Sequence, residues 1–490
     1  MMLNEGVRNL SQSFKCCSIL FMFILVIAFS VGCSSETGTN ESSSANETGA
    51  PNDHHAEQND ENGETAEEST DNGEIHIGVV GPMTGGFAVY GENVVRGVEL
   101  ALDEVDHQFD GREIVLHAED SQADVEQLVT KLDSLKQRDG VDVIIGPSTG
   151  DEGEAAVQWA QNNQDILIMP GYSAPEDLTM RERTPNLIRA GWTDSQTIFH
   201  FGQFVTDELG YEKIIMVGQD YAFPWGQAAG FKRGFYENGG KEVYTIWHPT
   251  DTLDFSSILG EIQGLADEYD AVMYNGGGAD AIAFYNGWEQ YGMDQHYPQL
   301  LAGTNVADVP ILSEISTHFE GVYSSMHYSE DLDHEENIKF RESYRKKYGE
   351  EADAIVLQGY DTMKVILQAL EQTGGETSDV EQLRETILSL EINDSPRGPF
   401  HFDEYGQAVQ NIYIKETKVV DGQLQNEVVK TYEAVSQFGP YEGWEEEYMS
   451  QPPNARDFPA DTAEEYFEHL AEYFGQDYID ELEANGGWAE

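Results

Sequence analysis

The sequence predicts an α/β protein built as two doubly wound parallel-sheet domains of similar plan. Three observations lead there. Short apolar, β-branched runs recur along the chain, and each ends in a loop rich in Gly, Pro, Ser or Asn. Each run is followed by a longer segment whose apolar residues repeat at helical spacing. The alternation runs once from residue 75 to 175 and then begins again near residue 196. Runs that are apolar at nearly every position suit strands covered by helices on both faces, which is the condition of a parallel sheet.

The folded region has a preface. Arg8 and Lys15 supply a positive region ahead of an apolar stretch, 19–31, of the length of a secretion signal's core and short for a membrane span. It ends in Ser30-Val31-Gly32-Cys33, which resembles the lipobox of bacterial-type lipoproteins, with Ser30 where Leu is usual. Residues 1–33 are therefore read as a lipoprotein signal and Cys33 as the lipidated residue. The other two cysteines, Cys16 and Cys17, lie inside the signal, so no disulfide framework is expected. Residues 34–74 are dominated by Ser, Thr, Asn, Gly and Glu with almost no apolar residue, and read as a disordered acidic linker. The pair His54-His55 belongs to that linker.

From residue 75 the elements follow in order. IHIGVV (75–80) is a strand, GPMTGGFAVYG (81–91) a Gly-rich loop and 92–105 a helix. Strand 112–119 and helix 122–138 come next, then strand 141–145, a helix from 151, strand 166–169 and the loop PGYSAP (170–175). The second set has helix 196–209, strand 213–217, the loop DYAFPWG (220–226), a helix to 238 and strand 242–247. Helix 255–268, strand 271–274, the turn Asn275–Gly278, helix 279–291 and strands 299–302 and 321–325 complete it. Helices 335–348, 352–372 and 380–389 precede the late strands 400–402 and 410–419. The tail from 436 to 490 is acidic and aromatic. In it Asp461 is expected to cap a helix carrying Tyr466, Phe467, Leu470 and Phe474 on one face, packed on the body.

One loop carries the functional question. In VDVIIGPSTG (141–150) a strand stops at Gly146-Pro147, and Ser148, Thr149 and Gly150 lead into a helix. A loop between a parallel strand and a helix N-terminus is where open α/β sheets bind ligands. The same residues fit G-x-S-x-G, the nucleophile elbow of serine hydrolases, with Ser148 as nucleophile. Too few strands precede Ser148 for that fold, and no HGGG-type oxyanion loop is present. The Gly-rich stretches 81–91 and 276–278 lack the Lys-Ser/Thr of a P-loop and the G-x-G-x-x-G spacing, so nucleotide binding is not expected. Neither a catalytic role, nor a cofactor, nor a metal is predicted.

A series of segments, in order, resembles the type I periplasmic binding proteins, in particular the branched-chain amino acid and amide receptors of ABC importers. The series runs from IHIGVVGPMTGGFAVYGENVVRGVELALDEV through AEDSQADVEQ, VDVIIGPSTG, ILIMPGYSAPEDLT and LIRAGWTDSQT. It continues with IIMVGQDYAFPWGQAAGFKRGF, AVMYNGGGADAIAFYNGWEQYG and RGPFHFDEYGQAVQNIYI. The resemblance implies two doubly wound parallel-sheet lobes joined by a hinge of three crossovers: residues 75–195 with 326–395, and 196–325 with 396–435. It implies a small-molecule ligand (an amino acid, amide or carboxylate) closed between them, delivery to a membrane permease, and an extracytoplasmic location. A ligand carboxylate would be held by Ser148, Thr149 and Gly150 and by Gly171, Tyr172 and Ser173. Tyr90, Phe223, Trp225 and Gly277 would line the cleft, and Trp192 would suit a flat ligand body. The acid that pairs with an amino acid's ammonium falls at Thr304 here, with Asp308 nearby. A sensor of the same fold that signals to a membrane partner is the alternative.

The formal net charge is −65, from 26 Lys and Arg against 91 Asp and Glu. That excludes nucleic acid and anionic membrane surfaces as electrostatic partners and fits adaptation to salt. Screening of carboxylate repulsion should then raise the melting temperature as NaCl goes from dilute buffer to molar concentration. A flat or falling melting curve over that range contradicts this meaning of the charge.

Overall fold

The computed structural model describes residues 73–484. The signal, Cys33, His54-His55 and almost all of the linker lie outside the described residues. Among those described, no helix is long and apolar enough to cross a membrane.

The first sheet contains β1 (Ile75–Gly81), β2 (Gln108–Phe109), β3 (Arg112–Asp120), β4 (Val143–Ile145) and β5 (Leu167–Met169), in the order β2-β3-β1-β4-β5. All pairs are parallel except β2 with β3, a hairpin turned by Asp110-Gly111. Both turn residues have positive φ, as an Asp-Gly hairpin turn requires. Helices α1 (Ala88–Asp103), α2 (Val125–Ser134) and α3 (Gly150–Gln161) accompany it.

The second sheet begins after α4 (Phe199–Asp207). Its strands are β6 (Lys213–Gln219), β7 (Glu242–His248), β8 (Ala271–Asn275), β9 (Leu300–Ala302) and β10 (Tyr323–Met326). Helices α5 (Ala222–Tyr236), α6 (Ser256–Gly264), α7 (Gly278–Tyr291) and α8 (Val309–Leu312) lie between these strands. The chain then returns to the first lobe with α9 (Glu335–Tyr348), α10 (Ala354–Thr373) and α11 (Val380–Leu388), whose Phe340, Val356 and Ile387 share a core with Ile77, Val98 and Val143. Helices α1 and α10 pack so closely that a side chain at Gly97 or Gly359 would collide with the other helix's backbone.

The last strands are β11 (Glu391–Ile392), β12 (Phe400–Phe402), β13 (Ala408–Val420) and β14 (Gln423–Val435). They extend the second sheet, whose order is β11-β12-β13-β10-β9-β8-β6-β7 with β14 beside β13. The pairing is antiparallel from β10 through β13 to β11 and β14, and parallel from β10 to β7. Ile392, Phe400, Phe402 and Ala408 pack in the first lobe's core although their strands pair with the second sheet, so these strands span the hinge.

The fold is thus a mixed α/β structure dominated by parallel pairing, in two lobes. Three local readings change. Residues 220–226 are not all loop: α5 begins at Ala222, because Pro224 falls in a helix's first turn, where no backbone N–H is needed. Strand β14 was not read from the sequence; its partner is joined to it by Asp421-Gly422, the same positive-φ hairpin turn as before. In the tail, α12 (Glu445–Ser450) and α13 (Ala463–Ala484) form. Asp461 does not cap α13. Its carboxylate is 2.5 Å from the buried Lys232 ammonium, and Thr462 Oγ accepts from Glu465 N instead.

The tail covers the second lobe with aromatic side chains: Tyr441, Tyr448, Tyr466 and Phe474 are buried beside Phe199, Phe231 and Tyr236. Under them Glu237 accepts hydrogen bonds from the Tyr441 and Tyr466 hydroxyls, with Tyr478 3.5 Å away. Burial lifts its carboxyl to about 7; the tyrosine hydroxyls and Arg233 pull the other way. A carboxyl raised on folding keeps a proton that the unfolded chain gives up. Its contribution to stability is full below about 4.5, falls as pH rises through the window from 4.5 to 7, and stays lost above it. Removing that titration should make Glu237→Gln more stable relative to the parent at pH 8 than at pH 5, by about 1–3 kcal/mol. Calorimetric melting at both pH values reads this, and a difference that does not vary with pH refutes it.

Candidate functional site

Each sheet reverses its strand order once, β1 beside both β3 and β4, and β6 beside both β7 and β8. The C-terminal ends of strands at such a reversal leave a crevice that helices cannot fill. In the first lobe this crevice is bordered by the chain after β1, reaching Phe87 and Tyr90, and by Ser148–Gly150 after β4. In the second it is bordered by Tyr221 and Phe223 after β6 and by Gly276–Gly278 after β8. The two crevices face each other: a Cβ at Gly150, the first residue of α3, would lie 3.3 Å from Phe223 N in the first turn of α5.

Between them is a cavity of about 30 Å³, space for water but not for an organic ligand until the lobes part. Six aromatic side chains form a closed belt around it. Ring centroids are 6.0 Å apart for Phe87–Tyr90, 5.8 Å for Tyr90–Tyr172, 5.3 Å for Tyr172–Trp192 and 5.7 Å for Trp192–Phe223. Phe223–Tyr221 and Tyr221–Phe87, both at 6.3 Å, complete the circuit. Phe87, Tyr90 and Tyr172 come from the first lobe, Trp192 from the hinge, and Tyr221 and Phe223 from the second lobe. Three of the contacts are edge-to-face, the geometry the ring quadrupole favours.

The remaining lining is Ser148, Thr149, Gly150, Ala174 and Asn305. Ser148 Oγ is buried and has no hydrogen-bond partner among the described residues. It stands at the N-terminus of α3, whose free N–H groups and dipole favour an anion there. The Thr149 hydroxyl donates to Glu152 Oε2 at 2.7 Å and so serves the helix start. Asn305 Oδ1 accepts from the Tyr172 hydroxyl at 2.9 Å, a hydrogen bond between the lobes. Burial, with Asp308 and Asp353 nearby, holds the Tyr90 and Tyr172 hydroxyls protonated well above neutral pH. No Asp, Glu, Lys, Arg or His lines this cavity among the described residues.

The expected site residues divide into those on this wall and those behind it. Tyr90, Ser148, Thr149, Gly150, Tyr172 and Phe223 line the cavity, as does Trp192. Gly171 and Ser173 do not: the N–H groups of Gly171, Tyr172 and Ser173 all point at the Pro147 carbonyl, and Ser173 Oγ is buried against Gly153 of α3. Trp225 lies outside the cavity. It is two residues beyond Phe223 on a helix, which turns it to the other side, and its indole N–H donates to Asp220 at 3.1 Å. Gly277 borders the cleft from behind, where an added Cβ would meet the Tyr90 hydroxyl at 2.7 Å; its lack of a side chain lets the lobes approach. Thr304 is fully buried and bonded to Gln227 and Thr197, while its neighbour Asn305 faces the ligand space. Asp308 caps α8 and lines an adjacent cavity of about 30 Å³, which shares Tyr90, Tyr172 and Asn305 with the first.

Phe87, Tyr221, Ala174 and Asn305 were not singled out from the sequence. Each is within three residues of one that was. The signal for Tyr221 and Phe223 together is a strand end followed by alternating aromatics ahead of a first-turn proline. Behind the belt, His327 stacks on Trp192 at 6.0 Å and is held neutral by burial beside Arg397 and Lys415.

A family profile described as "Periplasmic binding protein" matches residues 74–423. The Leu/Ile/Val-binding protein homolog 6 of Brucella melitensis is 29% identical over 368 residues, covering 73% of this chain and 92% of the relative. An ABC transporter substrate-binding protein from Sphaerobacter thermophilus is 29% identical with a TM-score of 0.70, over 74% of this chain and 99% of that one. A solute binding protein of an ABC transporter from Rhodopseudomonas palustris, solved with 3,4-dihydroxybenzoic acid, is 26% identical with a TM-score of 0.69, over 75% and 99%. Sheet order, facing crevices and these similarities together make the chain a member of the periplasmic binding protein family, of the two-lobed type I architecture.

Proposed function

We propose that the chain is the extracytoplasmic receptor of an ABC importer for a small carboxylate with a flat, aromatic body. The observation that carries this reading is the belt: six rings enclose the cavity and no acidic side chain lines it. A ligand ammonium has no counter-charge there, while a carboxylate has Ser148 Oγ and the α3 N-terminus. An aromatic ring between aromatic walls gains edge-to-face and stacking contacts that a branched aliphatic chain does not. The relative solved with 3,4-dihydroxybenzoic acid supports the same class. Binding would close the lobes around the ligand and present that state to a permease. Cys33 would carry the lipid that keeps the receptor at the membrane. Among the described residues no histidine stands on the cavity wall to activate Ser148, and hydrolysis is not part of this reading.

One observation favours a second reading. Asp308, 4% exposed, lines the adjacent cavity, which shares Tyr90 and Tyr172 with the first, and supplies there a carboxylate for an amino acid's ammonium. Branched-chain amino acids are the class named for the Brucella relative.

The two readings separate in one titration. Under the first, benzoate and hydroxybenzoates raise the melting temperature by mass action, while leucine and isoleucine do not. The reverse order of ligands defeats the aromatic acid reading in favour of the amino acid. With the ligand that binds, Ser148→Ala should weaken affinity by about 1.5–3 kcal/mol, the value of a hydrogen bond to a charged group. Calorimetric titration of parent and variant measures it, and equal affinities would remove Ser148 from the anion site.

A further inference from the structure

The tail beyond β14 lies outside the matched family region and touches both lobes. We infer that it is an interlobe strap, which fixes the angle between the lobes from beside the hinge.

The strap has two ends. On the second lobe, Lys232 binds Asp461 and the Pro459 carbonyl, and the Tyr236 hydroxyl donates to the Ala460 carbonyl at 3.1 Å. Val243 N donates to Asp461 O and Ala463 N to Lys241 O, which closes the outer edge of β7. On the first lobe the receiving segment is 176–183, anchored by Leu178, which packs on Val157 of α3, while its Met180 belongs to the second lobe's core. Arg181 donates through Nη2 to the Tyr448 carbonyl and through Nε to the Gln451 carbonyl, each at 3.1 Å. The Tyr448 hydroxyl returns a hydrogen bond to Glu176 Oε2 at 2.8 Å.

Tyr448 is the pin. Its ring lies between two guanidinium groups, with Arg181 of the first lobe 5.6 Å and Arg233 of the second 5.1 Å from its centroid. Arg233 also donates to Asn454 Oδ1 at 2.8 Å. Of these tail residues Tyr448 is held by both lobes at once, through its carbonyl and hydroxyl on the first and its ring against Arg181 and Arg233. A rotation of one lobe against the other would break one end or the other. A tail that merely covered the apolar face of the second lobe would need none of the bonds to Arg181 and Glu176.

The distinction sets the test, which needs no ligand and so stands apart from the assignment of the binding site. Amide hydrogen exchange is followed in the full chain, in Tyr448→Phe, which deletes one buried hydroxyl, and in Arg181→Met, which cuts the first-lobe end. If the strap sets the lobe angle, peptides 146–154 and 219–228, which face each other across the cleft, exchange several-fold faster in both variants. Peptides over β1 and β8 stay at the parental rate. If acceleration is confined to 176–183 and 436–461, or is absent, the tail is a local cover and the strap is refuted. Should Arg181→Met lose its fold, seen as fast exchange in β1 and β8, the result for Tyr448→Phe decides alone.

Discussion

The closed aromatic belt is the contact on which the two-lobed arrangement turns. Its six rings come from both lobes and the hinge, and they meet only when the lobes stand at this angle. The angle is held by small features around it. Gly277 leaves room for the Tyr90 hydroxyl, and Gly150 lets the N-terminus of α3 approach that of α5. Tyr172 bonds to Asn305 across the gap. Beneath these contacts lies topology. Parallel sheets that reverse their strand order leave a crevice at the C-terminal strand ends, and here two crevices are set mouth to mouth. The belt supplies shape and apolar surface, while the anionic end of a ligand is left to one serine and a helix N-terminus.

The distribution of cations is the second constraint. Only 26 basic residues offset 91 acidic ones, yet Arg189, Lys232, Arg233, Arg397 and Lys415 are each no more than 2% exposed. They lie at the hinge and under the tail. Arg189 reaches Gln407, Thr179 and the Pro175 carbonyl; Arg397 is 3.2 Å from Asp361 and bonds to the Ala190 carbonyl. Buried ion pairs add little net stability, because desolvation offsets the attraction, but a broken one is costly. Their effect here is geometric: they hold the crossovers in one register. Burying scarce positive charge also leaves the exposed surface still more acidic.

Much of this architecture was legible in the chain because its signals are local. A strand buried on both faces must be apolar throughout, so IHIGVV, VDVII and KIIMV announce β1, β4 and β6. The hairpins at Asp110-Gly111 and Asp421-Gly422 carried an equally local signal that was passed over, and β14 went unread with the second. Trp225 shows a different failure. Read as loop, DYAFPWG offers every aromatic to the cleft; as the first turn of α5 it offers Tyr221 and Phe223 and turns Trp225 away.

The sequence by itself determined the alternation of strand and helix, the loop at Ser148 and the acidic character, since each follows from residue type and spacing along the chain. Tertiary structure alone decided which side chains share the cavity. Phe87 and Tyr221, 134 positions apart, become neighbours only through the packing of two lobes. It also decided that Ser173 serves the α3 packing and Thr304 the hinge, and that the tail joins the lobes through Tyr448. Those assignments depend on the relative placement of elements distant in sequence, which no local pattern of residues encodes.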